Sequence, residues 1–495
     1  MTEATVRTYG NWRRPSSPGL GPLGTLGTIT LLGGIVASLI GFMVMWQAGV
    51  AMLGLSLMVL VPLGVRDRHG KNGFGWIGLR LSWQHGKATG QHLYRSGPLS
   101  RTGHGRCSLP GLAASVEATE ALDAWGRPFV LLRHRGVGHL STVISTSPDG
   151  AALVDAAEVD NRVAHWGSWL AGLAHEPGLV AASVTIESAP DTGTRLAREV
   201  GQRLDAAAPA LAQDVLRRIV ASYPAGSAAI SCRIALTWST LGRGGTGRRN
   251  TGDMAVEIGH RLPALTRSLG STGAGSARPM AMAELAAAVR IAYDPAAHPL
   301  IETTGLGGAG IAWPDAGPIA AEECWDHYRH DSAVSVVWVM CEAPSGHVFS
   351  SVLEPLVAPH GDIARKRVTL LYRPHDPASA TRTVERDRLD AQFSMHAKRF
   401  GRARDAISKQ AADRSAQEEA QGAGVVRFAM VVTATVAEDA DLDVAAAAVE
   451  NLGTTARLRL RRAYGSQSAA FVAGLPLGFV LPSHLRVPAS VRELL

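Results

Sequence analysis

The chain has 495 residues, a formal net charge of +7 and 46% apolar residues. That length leaves room for two or three domains beyond any membrane anchor. The modest charge does not demand a nucleic-acid partner. Cys107, Cys232, Cys324 and Cys341 are far apart and form no CxxC pair, so they read as reduced cytosolic thiols rather than a disulfide framework.

The first element is a membrane hairpin. No charged residue lies between Arg14 and Arg66, and two apolar runs, Leu26–Trp46 and Val50–Val65, fill that gap. About 20 apolar residues in a helix cross a hydrocarbon core of roughly 30 Å. The first run meets that length. The second is shorter and holds Pro62, so it needs Trp46 and Gly49 at one interface and a snorkelling Arg66 at the other. Gly33, Gly34 and Gly41 are positions where small residues let two helices pack closely. The length of the apolar stretch and the second run argue against a cleaved signal peptide, and a single kinked or re-entrant helix is the other reading. Gln47, Ala48 and Gly49 leave no room for a domain, so both outer ends lie on one side. Arg13 and Arg14 precede the hairpin, and Arg66, Arg68, His69, Lys71 and Arg80 follow it. The positive-inside rule therefore puts the amino terminus and the large remainder, with the carboxy terminus, in the cytoplasm.

The elements expected next, in chain order, make an α+β protein. After a lead over 1–25 and the hairpin over 26–65, residues 66–120 form a basic and aromatic collar. Trp76, Trp83 and Tyr94 lie among its cations, as at a membrane interface. A first cytosolic α+β domain spans 121–300. Strands are expected over Pro128–Arg133 and Leu140–Ser145, with a turn at Gly136–Gly138, then a helix over Asp160–His175. Val180–Ser188 alternates as a strand, Thr192–Ser222 reads as one long amphipathic helix, and Ala228–Trp238 as another strand. Helices follow over Met254–Leu269 and Met280–Ala292. Residues 301–332 read as an irregular linker. A second domain over 333–480 has strands at Ala333–Cys341, Arg367–Tyr372, Val425–Val436 and Arg457–Arg462. Charged helices fill Pro377–Gln421, with a break near Phe400-Gly401, and a helix covers Asp441–Thr454 with Asp441 in its first turn. A tail occupies 481–495. Both domains imply antiparallel sheets with helices on one face, and their similar order allows a pseudo-duplicated pair.

No active-site motif emerges. Gly305–Gly310 and Gly242–Gly247 are glycine-rich, but neither ends in the Gly-Lys-Ser/Thr of a phosphate loop. Cys324, His327, His330 and Asp331 form the best local metal-ligand cluster, yet no second ligand pair is evident. They read as an aromatic, charged helix end. His134, His139 and His165 are isolated, and Gly167-Ser168 lies inside a helix rather than at a nucleophile elbow. Glu418 and Glu419 are adjacent helical residues that do not face each other. The basic clusters Arg365–Arg367 and Lys398–Arg404 read as solvated faces. No catalytic, cofactor or metal residue is assigned, and no enzyme activity is expected.

Three stretches of the carboxy-terminal third carry a resemblance: Arg367–Pro377 (RVTLLYRPHDP), Glu418–Asp443 and Ala470–Gly478 (AFVAGLPLG). In order along the chain they resemble the non-motor amino-terminal domain of type IV secretion (conjugation) ATPases. In that family the motor follows this element, and here the chain ends soon after it. The amino terminus, Tyr9–Pro15 (YGNWRRP) followed by a hairpin, resembles the PrgI-type membrane subunit of the same machines. The whole design resembles actinobacterial membrane proteins found with conjugative elements. The resemblance implies a non-catalytic membrane subunit that docks a separate secretion ATPase, contacts other translocon subunits and self-associates, without binding nucleic acid directly. The chain is also similar in plan to the EccE-like component of type VII (ESX) secretion. A membrane-tethered enzyme using the 324–331 cluster is a third reading.

Overall fold

The computed structural model describes the chain apart from residues 1–6, 11, 13–23, 66, 68–69, 98–99, 101–105, 151–152, 224–226, 242–246, 248, 305–309, 345, 397–402, 421 and 486–495. Helices α1 (Gly24–Val44) and α2 (Trp46–Gly64) form an antiparallel hairpin with only Met45 between them. At 1.5 Å per residue they are about 31 and 28 Å long, enough to cross a membrane. Trp46–Gly49 is the first turn of α2 rather than a loop, which lengthens the second span beyond the apolar run itself. Pro62 sits in the last turn of that helix, so the hydrogen bond it removes lies near the helix end. The close approach depends on glycine. A Cβ on Gly41 would lie 3.0 Å from the Gly49 backbone, and one on Gly34 2.5 Å from Ser56 Oγ, whereas Gly33 faces open space. The outer apolar side chains stand exposed, Met43 at 88% and Met58 at 74%. Helices apolar all round and exposed on this scale are candidates to span a membrane.

Helix α3 (Gly73–Ala88) follows, started by Asn72, whose side chain accepts from the Gly75 N–H at 2.9 Å. Strand β1 (Leu93–Arg95) leads into two consecutive units. The first comprises β2 (Val116–Leu122), β3 (Pro128–His134), β4 (His139–Ser147), α4 (Ala156–Leu173), β5 (Leu179–Pro190), α5 (Thr194–Arg203), α6 (Ala210–Ser222), β6 (Ala228–Ser239), α7 (Thr251–Arg267), β7 (Ser276–Pro279) and α8 (Met282–Tyr293). After the short α9 (His298–Thr303) comes the second unit. It comprises β8 (Ala320–Glu323), β9 (Tyr328–His330), β10 (Ala333–Glu342), α10 (Glu354–Val357), β11 (Arg365–Pro374), α11 (Pro377–His396), α12 (Ala403–Ala420), β12 (Val426–Ala437), α13 (Leu442–Thr455), β13 (Arg459–Arg462) and α14 (Gln467–Ala473).

The two units match element for element, and their strands form one antiparallel sheet. Its order is β1-β8-β9-β10-β12-β11-β5-β6-β4-β3-β2, with β13 also on β10 and β7 also on β4. Read outward from the β5–β11 seam, both sides have the same sequence of equivalent strands. Thr185 lies opposite Thr369 at that seam, on a local pseudo-twofold axis. The fold is therefore α+β with an internal duplication, and the halves share a sheet rather than standing apart as separate domains. The second repeat begins at β8, inside the stretch that reads as linker, because its first strands are too short to show a period.

One face of the sheet carries α8, α14 and the segment after α14, around a core shared by both repeats (Val130, Val143, Ala235, Val337, Val431, Phe471). The other face carries two separate cores, one under α4 and α7 and one under α10 and α13. The long helix expected over Thr192–Ser222 is two helices, because residues 204–209 form a turn ending in Pro209, which sits at the N-cap of α6. The break expected near Phe400-Gly401 falls outside the described residues. Asp441 caps α13, accepting from the N–H groups of Asp443 at 3.0 Å and Val444 at 3.3 Å.

Candidate functional site at the seam of the two repeats

Strand alternation turns a row of polar side chains onto the shared face, and each repeat supplies the same triad. In the first, His134 Nε2 lies 3.1 Å from Ser141 Oγ, which lies 2.8 Å from Thr237 Oγ1. In the second, His330 Nε2 lies 2.8 Å from Ser335 Oγ, which lies 2.7 Å from Thr435 Oγ1. At the axis the Thr369 hydroxyl donates to Thr185 Oγ1 at 3.1 Å or to the Gly474 carbonyl at 2.7 Å. The chain after α14 crosses this row. Its Leu477 carbonyl lies 3.1 Å from His134 Nε2, and its Gly478 carbonyl accepts from Thr237 at 2.8 Å. The Ala470–Gly478 element is thus the clasp that lies over the seam, with carbonyls placed to accept from the Thr369 and Thr237 hydroxyls. Its Leu475 and Leu477 are buried in the shared core.

Beside the axis lies a buried ionic cluster. Glu187 on β5 accepts from Arg365 on β11 at 3.0 Å and from Arg233 on β6 at 3.3 Å, and Arg367 Nη2 stands 3.6 Å away. Burial alone would raise the Glu187 carboxyl, but Arg365, Arg367 and Arg233 hold it well below the usual carboxylate range. Burial lowers the Arg367 guanidinium from its ordinary value, against the pull of Glu187. The Arg367 guanidinium carbon sits 5.2 Å from the Phe471 ring centroid. At the rim, His298 Nδ1 contacts Arg365 at 3.1 Å, and Arg198 donates to the Glu302 carbonyl at 2.6 Å.

The expectation that Arg365–Arg367 is a solvated face is wrong. Arg365, Lys366 and Arg367 are 6%, 1% and 2% exposed. The two arginines face the shared core, while Lys366 points to the opposite face and donates to the Ala358 carbonyl at 2.6 Å. A charge run looks solvated when its strand has no apolar alternation, and here the partner charge is 178 positions away. Glu187 and Arg233 carried a weaker sign, lone charges inside otherwise apolar strands. Of the second basic cluster, residues 398–402 lie outside the described residues.

The 324–331 cluster does not converge. It forms a β-hairpin, not a helix end. The Cys324 N–H donates to the His327 carbonyl at 2.9 Å across the turn, and His327 Nδ1 lies 2.9 Å from Asp326 Oδ1. His330 points into the sheet, where its Nδ1 lies 2.6 Å from the Tyr293 carbonyl. Asp331 accepts from the Ile319 and Ala320 N–H groups and pairs with Arg290 at 3.0 Å. Among the described residues no three His, Cys, Asp or Glu side chains are placed to hold a metal ion. His134 and His139, which looked isolated, are register partners, and the His484 ring lies 6.4 Å from that of His134. Gly167 and Ser168 lie within α4, and Glu418 and Glu419 bond separately to Arg414 and Thr381. Residues 242–246 and 305–309 of the two glycine-rich loops lie outside the described residues.

Where the hairpin meets the domain, aromatic side chains join the two. Trp83 packs edge-on against Trp325 at 5.9 Å between ring centroids, Trp76 lies 5.8 Å from Tyr464, and Arg80 covers Trp325 at 4.6 Å. Phe74, Ile77 and Leu81 occupy the opposite, exposed face of α3. Ahead of the hairpin, Tyr9 makes a two-bond antiparallel bridge to Val348, 2.8 Å each way, and its hydroxyl donates to Asp160 at 3.1 Å. Trp12 packs against Phe428 at 6.4 Å.

A family model described as a domain of unknown function (DUF8461) matches residues 16–74, the stretch that holds both apolar helices and the start of α3. No curated protein matches the chain.

Proposed function

We propose that the protein is a non-catalytic subunit of a bacterial conjugative, type IV-like secretion complex. It is anchored in the inner membrane by α1 and α2, and its duplicated domain docks a separate P-loop ATPase in the cytoplasm. The observation that carries the reading is the attachment of the domain to both ends of the hairpin. Tyr9 and Trp12, before the first span, bond to the same domain that α3, after the second span, packs against. Two spans joined by one residue return the chain to its starting side, and the basic flanks favour the cytoplasm for that side. The exposed Phe74, Ile77 and Leu81 stripe on α3 suits a helix lying at the interface, one face on protein and one on lipid.

The docking role follows the resemblance of the second repeat to the ATPase family's non-motor domain. The exposed apolar stripe of α6, with Leu211, Val215, Ile219 and Tyr223, adds a surface of the kind that partners cover. The test is affinity purification of the full chain from gently solubilised membranes of its native host. The proposal expects a P-loop secretion ATPase to co-purify, and purified protein alone to hydrolyse no ATP. Recovery of other membrane complexes without any such ATPase, or ATP turnover by the isolated chain, contradicts it.

A further inference from the structure

The cluster at the seam has more positive charge than its own side chains answer. Three guanidinium groups, Arg233, Arg365 and Arg367, meet one carboxylate, Glu187. Among the described residues, Glu187 is the carboxylate paired with Arg367, at 3.6 Å. The Glu302 carboxylate stands at the rim, where it accepts from the Thr192 hydroxyl and lies 3.9 Å from His298 Nε2. A buried ion pair is costly unless its hydrogen bonds are completed, and an excess buried cation is costlier still.

The bonds are not completed by protein. Arg367 is 2% exposed, yet neither of its Nη atoms has a hydrogen-bond partner among the described residues, and the same holds for Arg365 Nε. The Tyr293 hydroxyl, fully buried, is also without a partner. Arg367 and Tyr293 converge on one ring, Phe471, at 5.2 Å and 5.0 Å between centres. Guanidinium and phenol donors collected in a low-dielectric setting, with surplus positive charge, have the recognition chemistry of an oxyanion. Waters would satisfy the donors but would leave the charge.

We infer that the Arg233–Arg365–Arg367 cluster binds a small free oxyanion of the phosphate or sulfate class. Arg365 and Glu187 are themselves only 6% and 7% exposed, which favours a small anion over a large organic phosphate. Bound there, the anion would tie β6, β11 and α8 together across the seam. It would thereby couple the folding of the two repeats to the anion. This inference does not rest on the secretion reading, and either can fail without the other.

The experiment is equilibrium dialysis of the detergent-solubilised full chain against radiolabelled inorganic phosphate, with chloride matching ionic strength. Thermal melts in the same buffers run in parallel. The expected result is saturable binding of about one phosphate per chain, with a melting temperature that rises with phosphate but not chloride. Arg367→Met should weaken binding at least about tenfold, the loss of one charge-assisted contact. Arg233→Gln, at the more accessible rim, should weaken it less. Glu187→Gln, which removes the competing carboxylate, should tighten it. The opposite directions of Glu187→Gln and Arg233→Gln keep the test decisive if Arg367→Met fails to fold. Absence of saturable binding in the wild type overturns the inference. So does binding that all three substitutions leave unchanged.

Discussion

At the scale of single residues, Gly478 shows how closely the clasp is fitted. Its φ is +72°, and a Cβ there would stand 2.5 Å from Thr237 Oγ1 and 2.6 Å from Ser141 Oγ. Gly478→Ala must therefore strain the backbone and push the segment off the hydroxyl row. We expect a loss of about 2 kcal/mol or more, read as a lower melting temperature of the purified chain. The buried histidines give a pH dependence whose sign follows from their environment. Burial, with His139 and His484 nearby, pushes His134 down to about 3. Burial, with His484 and Arg373 nearby, pushes His139 to about 4. His330, fully buried and also facing Arg367, falls to about 4, although Asp294 and the Tyr293 carbonyl favour its charged form. Each is neutral when folded and takes up a proton near 6.5 when unfolded. Stability is therefore full above about pH 6.5 and is lost as pH falls toward those lower values. The loss is about 2 kcal/mol per histidine between pH 6.5 and 5. Urea unfolding across that range should show the decline, and His139→Gln should make it shallower. A flat profile would contradict the buried neutral assignment.

At the scale of elements, the strands and helices that could be read from sequence were those with a long period. β4, β5, β6, β10 and β12 alternate or run apolar over enough residues to show themselves, and Gly136–Gly138 marks its turn. The short strands β1, β8 and β9 are three or four residues each, too brief for any period, and were invisible. The stretch around Cys324 and His327 reads as a helix end for the same reason, since a three-residue spacing suits a helical turn as well as a tight hairpin. The ionic cluster was hidden because charges that meet across a sheet leave no local pattern. The join between α3 and the second repeat is a contact that sequence could not place, although the tryptophans themselves were conspicuous. A double-mutant cycle on Trp83→Ala and Trp325→Ala should give a coupling of about 0.5 to 1.5 kcal/mol in thermal stability. Additive effects would mean the two rings do not support each other.

At the scale of the whole molecule, the duplication and the hairpin explain each other's arrangement. A twofold pair of repeats shares one sheet and one clasp, and it contacts the chain on both sides of the two-helix hairpin. Similar element order made the duplication legible in sequence, but the shared sheet was not, because the β5–β11 pairing joins strands almost two hundred residues apart. The proposed docking role requires both ends of the hairpin to lie on one side of the membrane. That can be measured with single-cysteine reporters in a chain whose four native cysteines are replaced by serine. Thr8→Cys and Ser350→Cys flank the Tyr9–Val348 bridge, and Gln47→Cys, in the first turn of α2, marks the end where the two spans meet. In intact cells a membrane-impermeant maleimide should label Gln47→Cys alone, and permeabilisation should expose the other two. Labelling of Thr8→Cys or Ser350→Cys from outside, with Gln47→Cys protected, would contradict the account.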